Sequence, residues 1–170
     1  MNIGLLGCGV VGGGILDFCA GREDLTVTKV LVRRPRPDLG ALAVTDIADI
    51  VNDEAIGIVA EVMGGLHPAY EYICAALKAG KHVVTANKQL VAEKGAELLA
   101  LAKKRGVNYL FEASVGGGIP VLHPLTQCMA ANRVDEIYGI LNGTTNFILT
   151  KMVKEGASFA EVLKLAQEKG

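Results

Sequence analysis

IGLLGCGVVGGGIL, residues 3–16, sets a strand, a glycine turn and a helix start side by side. The apolar run 3–6 has the content of a short buried strand. Gly7, Gly9 and Gly12 follow in the spacing G-x-G-x-x-G, and Val10, Val11, Ile15, Leu16 and Phe18 recur at roughly helical spacing. In such a segment the first glycine lets the chain turn. The second lets backbone approach a ligand, and the third lets helix and strand pack closely. The helix start offers free N–H groups and a partial positive charge, which suit a pyrophosphate. The competing reading is a glycine-rich turn that binds nothing. It leaves unexplained why strand, glycines and helix come in the order the fingerprint requires. A secretory leader is not expected: no basic segment opens the chain, and the six glycines of residues 1–16 would weaken an apolar helix.

Outward from this stretch, strands and helices alternate. Residues 25–32, LTVTKVLV, are rich in β-branched side chains and read as the second strand. The strand runs into Arg33-Arg34-Pro35-Arg36-Pro37, where the NAD form of this fold carries an acidic residue and the NADP form an arginine for the 2′-phosphate. Arg33 and Arg34 stand there with no Asp or Glu among residues 33–37. A guanidinium can hold a phosphate bidentately, so the sequence leans to NADP; the alternative is a solvated basic loop. A short helix is expected over 48–52, capped by Thr45 or Asp46. Further strands are expected over 55–62, 81–86 and 107–111. Helices are expected over 69–79, with Pro68 in its first turn, and over 88–105, capped by Asn87 and ended by Gly106. That alternation predicts an α/β, Rossmann-type, doubly wound parallel sheet.

After residue 112 the texture changes. EASVGGGIP is too glycine-rich for a regular element. A helix over 119–131 and a strand over 134–141 are expected next, then a turn at 142–145 and a helix over 147–154. Ser158 and Glu161 form a capping box before a last helix that runs to 167. The expected domains are a dinucleotide-binding domain over 1–130 and the beginning of an α+β substrate domain over 131–170.

The 170 residues are 51% apolar, enough for a sizeable core in one domain or one with a small appendage. Seventeen basic and eighteen acidic residues leave a net charge of −1, so neither nucleic acid nor an anionic membrane surface is an expected partner. The uncharged run 113–132 is broken by glycines and prolines and does not read as a membrane span. Cys8, Cys19, Cys74 and Cys128 show no C-x-x-C pairing and read as free thiols of a reducing, cytoplasmic compartment. His67, His82 and His123 are not spaced from them as zinc ligands.

In open α/β sheets ligands bind beyond the C-terminal ends of the strands. The residues expected there are Gly7-Cys8-Gly9, Arg33-Arg34, Met63-Gly64-Gly65, Thr85-Ala86-Asn87-Lys88 and Glu112-Ala113-Ser114. Lys88 follows an apolar strand and opens a helix, where the helix dipole disfavours a cation. That field, together with burial, would suit it to proton transfer; the alternative is a surface lysine whose ammonium reaches water. Glu112 reads as a general base or as a strand end. The tyrosines read as packing residues.

Residues 83–88 (VVTANK), 111–120 (FEASVGGGIP) and 139–149 (GILNGTTNFIL) resemble homoserine dehydrogenase, as do GLLGCGVVG near the N-terminus and Gly64-Gly65 before Pro68-Ala69. Enzymes of that family interconvert L-homoserine and L-aspartate 4-semialdehyde with NAD(P), on the route to threonine and methionine. The resemblance implies Lys88 as the lysine that assists proton transfer at the substrate hydroxyl. It implies cofactor contacts at Gly7, Gly9, Val10, Val11, Gly12, Arg33, Arg34, Gly64, Gly65, Thr85, Ala86 and Lys88, with NADP as cofactor and NAD as the alternative. Asn142, Gly143 and Thr144 match the turn that touches substrate. Glu112, Val115, Gly117 and Ile119 match a loop whose carbonyls hold a sodium ion, a hard cation suited to oxygen ligands. A homodimer is the family's expected assembly. Chains of the family continue beyond a segment like AQEKG to a second catalytic lysine and an acidic stretch, and no residue here matches those. A non-catalytic NADP(H)-binding module is therefore the second reading. A third is a related oxidoreductase acting on another amino-acid aldehyde or imine.

Overall fold

The computed structural model describes residues 1–140 and 142–169. Two compact units divide at Pro120 and Val121. The first is a six-stranded parallel sheet: β1 (Asn2–Leu6), β2 (Thr26–Leu31), β3 (Ala43–Val44), β4 (Ile56–Glu61), β5 (His82–Thr85) and β6 (Tyr109–Leu110), in the order β3-β2-β1-β4-β5-β6. The order reverses direction at β1, between β2 and β4, so the glycine turn leaves the sheet at its switch point. The helices are α1 (Val10–Cys19), α2 (Ala48–Val51), α3 (Ala69–Lys78) and α4 (Lys88–Arg105).

The strands read as near-continuous apolar runs because both faces of the sheet are covered. Ile3, Leu5, Val30 and Ala60 pack on one face with Cys19 of α1. Their neighbours Leu6, Leu31 and Val59 turn to the other, among Ile73 and Leu77 of α3 and Leu90 and Leu98 of α4. The expected Asn87 cap of α4 forms, whereas the cap position of α2 is Ile47, with Asp46 bracing the turn before it. The Asn87 side chain accepts the Leu90 N–H at 3.1 Å, and Asp46, rather than Thr45, accepts from Ala48 N–H at 2.8 Å. The structure adds β3, which extends the sheet beside β2 through two residues only, after a 3₁₀ turn over Pro37–Leu42.

At the end of α2, Lys29 Nζ reaches Asp53 at 2.9 Å. The Lys29 bond first, and the Ala55 N–H next, hold the Asp53 carboxyl below the usual carboxylate range. Its ionised form therefore favours the fold above that range, and the contribution is lost as pH falls through the lowered value. Asp53→Asn is expected to lower the unfolding midpoint at about pH 7, with the difference from the parent closing at about pH 2. Thermal melts across that range check it, and a difference that persists in acid overturns it.

In the second unit three expectations change. The expected helix over 119–131 shrinks to a short piece whose last turn, Pro124–Cys128, is of π type. Pro124 has no N–H to give and crowds the preceding turn, and the ladder widens so that Met129 N–H reaches the Pro124 carbonyl at 3.1 Å. The strand expected over 134–141 is absent from 134–140, and Leu141 lies outside the described residues. A strand exists only in a ladder, and among the described residues this unit holds none to pair with it. Ile137, Tyr138 and Ile140 stand exposed. The expected turn at 142–145 is instead the start of α5 (Gly143–Glu155), because the Asn142 carbonyl oxygen Oδ1 accepts from both Thr145 N–H and Thr145 Oγ1. The capping box at Ser158 and Glu161 opens α6 (Phe159–Lys169) as expected. Among the described residues no helix is long and apolar enough to cross a membrane.

Candidate functional site

The glycine turn is held from both sides. Gly7 N–H donates to the Leu31 carbonyl at 3.1 Å, and Val62 N–H donates to the Leu6 carbonyl at 3.0 Å. Gly7 has φ +94°, in the region glycine favours. A Cβ at Gly12 would lie 2.4 Å from the Gly7 carbonyl oxygen, so only glycine lets α1 seat on the turn. Gly9 faces open space. The first intrahelical bond runs from Gly13 N–H to the Gly9 carbonyl at 2.8 Å, and no side chain caps the start. The N–H groups of Val10, Val11 and Gly12 are thus left for a ligand, with no acidic side chain in the first turn to repel an anion.

A cleft of about 610 Å³ opens over this turn. Gly7, Gly9, Arg33 and Arg34 line it, as expected from sequence, together with Arg36 and Tyr72. Arg33 and Arg34 are exposed and make no hydrogen bond or ion pair among the described residues. Arg36, not singled out in the sequence, is fixed: it grips Asp38 with two bonds of 2.8 and 2.7 Å and reaches the Cys8 carbonyl at 3.4 Å. The Arg36 bond holds the Asp38 carboxyl below its usual range. A third arginine in the run RRPRP was the available signal. Tyr72, read as packing, does pack on the core and also faces the cleft.

Val10, Val11, Gly12, Gly64, Gly65, Thr85, Ala86 and Lys88 are not among the residues lining this cleft. Gly64 and Gly65 form the turn after β4. Thr85 is buried, and its hydroxyl donates to Glu61 at 2.6 Å. Of the two readings left open for Lys88, the structure has the exposed one: it stands at the first position of α4, directly after the buried cap residue Asn87. Sequence reasoning missed Glu61, a fully buried carboxylate at the end of the strand expected over 55–62.

The expected cation loop is a 3₁₀ turn, Glu112–Ser114, then a reverse turn in which Ile119 N–H donates to the Gly116 carbonyl at 3.1 Å. The carbonyls of Val115 and Gly117 accept no hydrogen bond among the described residues, which fits oxygen coordination of a hard cation. No three His, Cys, Asp or Glu side chains gather there or elsewhere among the described residues. Asn142, Gly143 and Thr144 form the N-terminus of α5 in the second unit.

A switch-point cleft, a glycine cradle under an uncapped helix start and arginines at the end of β2 that are unpaired among the described residues define a protein of the dinucleotide-binding α/β class. The family model for the homoserine dehydrogenase NAD-binding domain matches residues 7–112, and that for homoserine dehydrogenase matches residues 120–170. The chain belongs to the homoserine dehydrogenase family. Over its whole length it is 43% identical to homoserine dehydrogenase of Bacillus subtilis and 47% identical to that of Synechocystis, covering 42% of each. It is similar along its whole length to a homoserine dehydrogenase structure from Thiobacillus denitrificans (TM-score 0.90, 42% identity, 42% of that chain). A hyperthermophilic archaeal homoserine dehydrogenase in complex with NADPH aligns with TM-score 0.85 at 25% identity, over 99% of this chain and 61% of that one. The chain thus spans about two fifths of the length of the curated relatives it matches.

Proposed function

We propose that this chain is the NADP-binding part, with the start of the substrate-binding part, of an enzyme interconverting L-homoserine and L-aspartate 4-semialdehyde. The observation that carries the cofactor reading is the Arg33–Arg34 pair, unpaired among the described residues, beside a glycine cradle whose first helical N–H groups have no side-chain cap among them. The N–H groups of Val10, Val11 and Gly12 would take the pyrophosphate, and Arg33, aided by Arg34, the 2′-phosphate. Gly64, Gly65, Thr85 and Ala86 would border the nicotinamide. Bound NADP supplies the hydride acceptor. Lys88 handles the substrate hydroxyl proton, and Asn142, Gly143 and Thr144 contact the substrate. The carbonyls of Glu112, Val115, Gly117 and Ile119 would hold a sodium ion that stiffens their loop. The exposed apolar residues of 134–155 support a homodimer, which light scattering would detect. The four free cysteines support a cytoplasmic location.

The second reading is a non-catalytic NADP(H)-binding fragment, favoured by the share of the relatives' length that is covered. Mixing the chain with L-homoserine and NADP separates the two. A homoserine-dependent rise in NADPH absorbance supports the enzyme, and NADPH binding without a rise assigns the fragment. Absence of NADPH binding overturns both. Arg33→Ser is expected to weaken NADPH about tenfold or more while NADH binding stays put, since a charged hydrogen bond contributes about 1.5–3 kcal/mol. Equal loss for both cofactors would take Arg33 out of the phosphate site.

A further inference from the structure

Glu61 is a buried charge that the cofactor reading leaves unused. It ends β4 with 0% of its surface exposed. A carboxylate withdrawn from water needs donors or a cation. Among the described residues its partners are neutral. Met63 N–H donates to Oε1 at 2.8 Å, the Thr85 hydroxyl donates to Oε2 at 2.6 Å, and Asn87 Nδ2 stands 3.5 Å from Oε1.

From there a ring closes. Thr85 Oγ1 accepts from Asn87 N–H at 3.0 Å, Asn87 Nδ2 donates to the Gly65 carbonyl at 2.6 Å, and Gly65 lies two residues beyond Met63. Ala86 N–H also donates to the Glu61 carbonyl at 3.2 Å. The ring joins the turn after β4, with Gly64 and Gly65, to the turn after β5 that delivers Ala86 and Lys88. Its polarity is fixed. Thr85 has one proton, which goes to Glu61, and its lone pair serves Asn87. Position 61 accepts at both of its terminal atoms and donates nothing, which a carboxylate does and an amide of the same shape does not. The charge is felt nearby: the Tyr109 hydroxyl is buried without a hydrogen-bond partner among the described residues, and its proton is held on first by burial and then by Glu61.

We propose that Glu61 is a positioning residue for the cofactor, locking the Gly64–Gly65 turn to the Ala86–Lys88 turn at the spacing the nicotinamide half requires. This rests on the cofactor reading above. The adenine half lies with the glycine cradle and the arginines, which border Met63 in the cleft but share no hydrogen bond with the ring among the described residues, so the two halves of the ligand separate the roles. The experiment titrates the parent, Glu61→Gln and Thr85→Val with NADPH, followed by its fluorescence, and with 2′,5′-ADP, which carries the adenine half alone. Both variants are expected to weaken NADPH about tenfold, or about 1.4 kcal/mol, with 2′,5′-ADP within about twofold of the parent. NADPH binding equal to the parent in both variants overturns the proposal. Equal weakening of both ligands also overturns it, assigning Glu61 to holding the fold. A parent that binds 2′,5′-ADP but not NADPH overturns the proposal while sparing the adenine-side site. A parent that binds neither overturns the cofactor reading itself.

Discussion

Gly12→Ala is expected to remove NADPH binding and lower the unfolding midpoint by several degrees, while Gly14→Ala in the same helix raises it. The added Cβ at Gly12 would lie 2.4 Å from the Gly7 carbonyl oxygen and 3.2 Å from its carbon. Neither atom can step aside as a side-chain end would, because Gly7 is tied to Leu31 at 3.1 Å. Either α1 lifts from the turn or the turn itself shifts. Overpacking of this kind costs about 1–3 kcal/mol, which at about 2–4 °C per kcal/mol is a fall of roughly 2–12 °C. The same displacement moves the N–H groups that would meet the pyrophosphate, so binding goes with stability. Gly14 faces open space. Alanine there gains about 0.5–1 kcal/mol by restricting the unfolded chain and favouring the helix. Melting curves of the two variants are expected to move in opposite directions, and NADPH titrations to lose binding in Gly12→Ala alone. A Gly12→Ala protein that binds as the parent does would overturn the packing argument.

The same contrast shows how far the sequence alone could be read. The turn at Gly7–Gly12 is legible because its constraint is local: strand, glycine spacing and helix are contiguous. The limits of α4 are legible for the same reason, since Asn87 and Gly106 mark its ends by their own chemistry. Where an element depends on a distant partner the reading fails. Residues 134–140 have the pattern of a strand and, among the described residues of their unit, no ladder to join. Ala43–Val44 is too short for any periodicity to show, and is a strand only because β2 lies beside it. The candidate site divides likewise. Arg33 and Arg34 follow from their place at the end of β2. Arg36 becomes visible as a fixed group only through Asp38 and the Cys8 carbonyl. Glu61 lies within 55–62, read only as a strand, and its surroundings emerge only when Thr85 and Asn87 arrive from another part of the chain.

Lys88→Ala is expected to cut homoserine turnover by about 10²–10⁴-fold and to leave the fold at least as stable. The ammonium makes no hydrogen bond or ion pair among the described residues, so no packing or network is lost with it. It stands at the first position of α4, where the exposed N–H groups disfavour a cation by about 0.3–1 kcal/mol, and alanine relieves that. The neighbouring cap is independent of it: Asn87 holds Leu90 N–H and the Gly65 carbonyl without using residue 88. A lysine at a costly position with no structural return is what a role in proton handling predicts, whereas a merely solvated lysine would leave turnover unchanged. The two measurements are therefore read together, in this chain or, if it does not turn over alone, in the chain extended to its relatives' length. Unchanged turnover removes Lys88 from the chemistry. Loss of turnover with a matching loss of stability assigns it to structure. Loss of turnover with stability kept or raised, and NADPH still bound, makes it the proton-handling group.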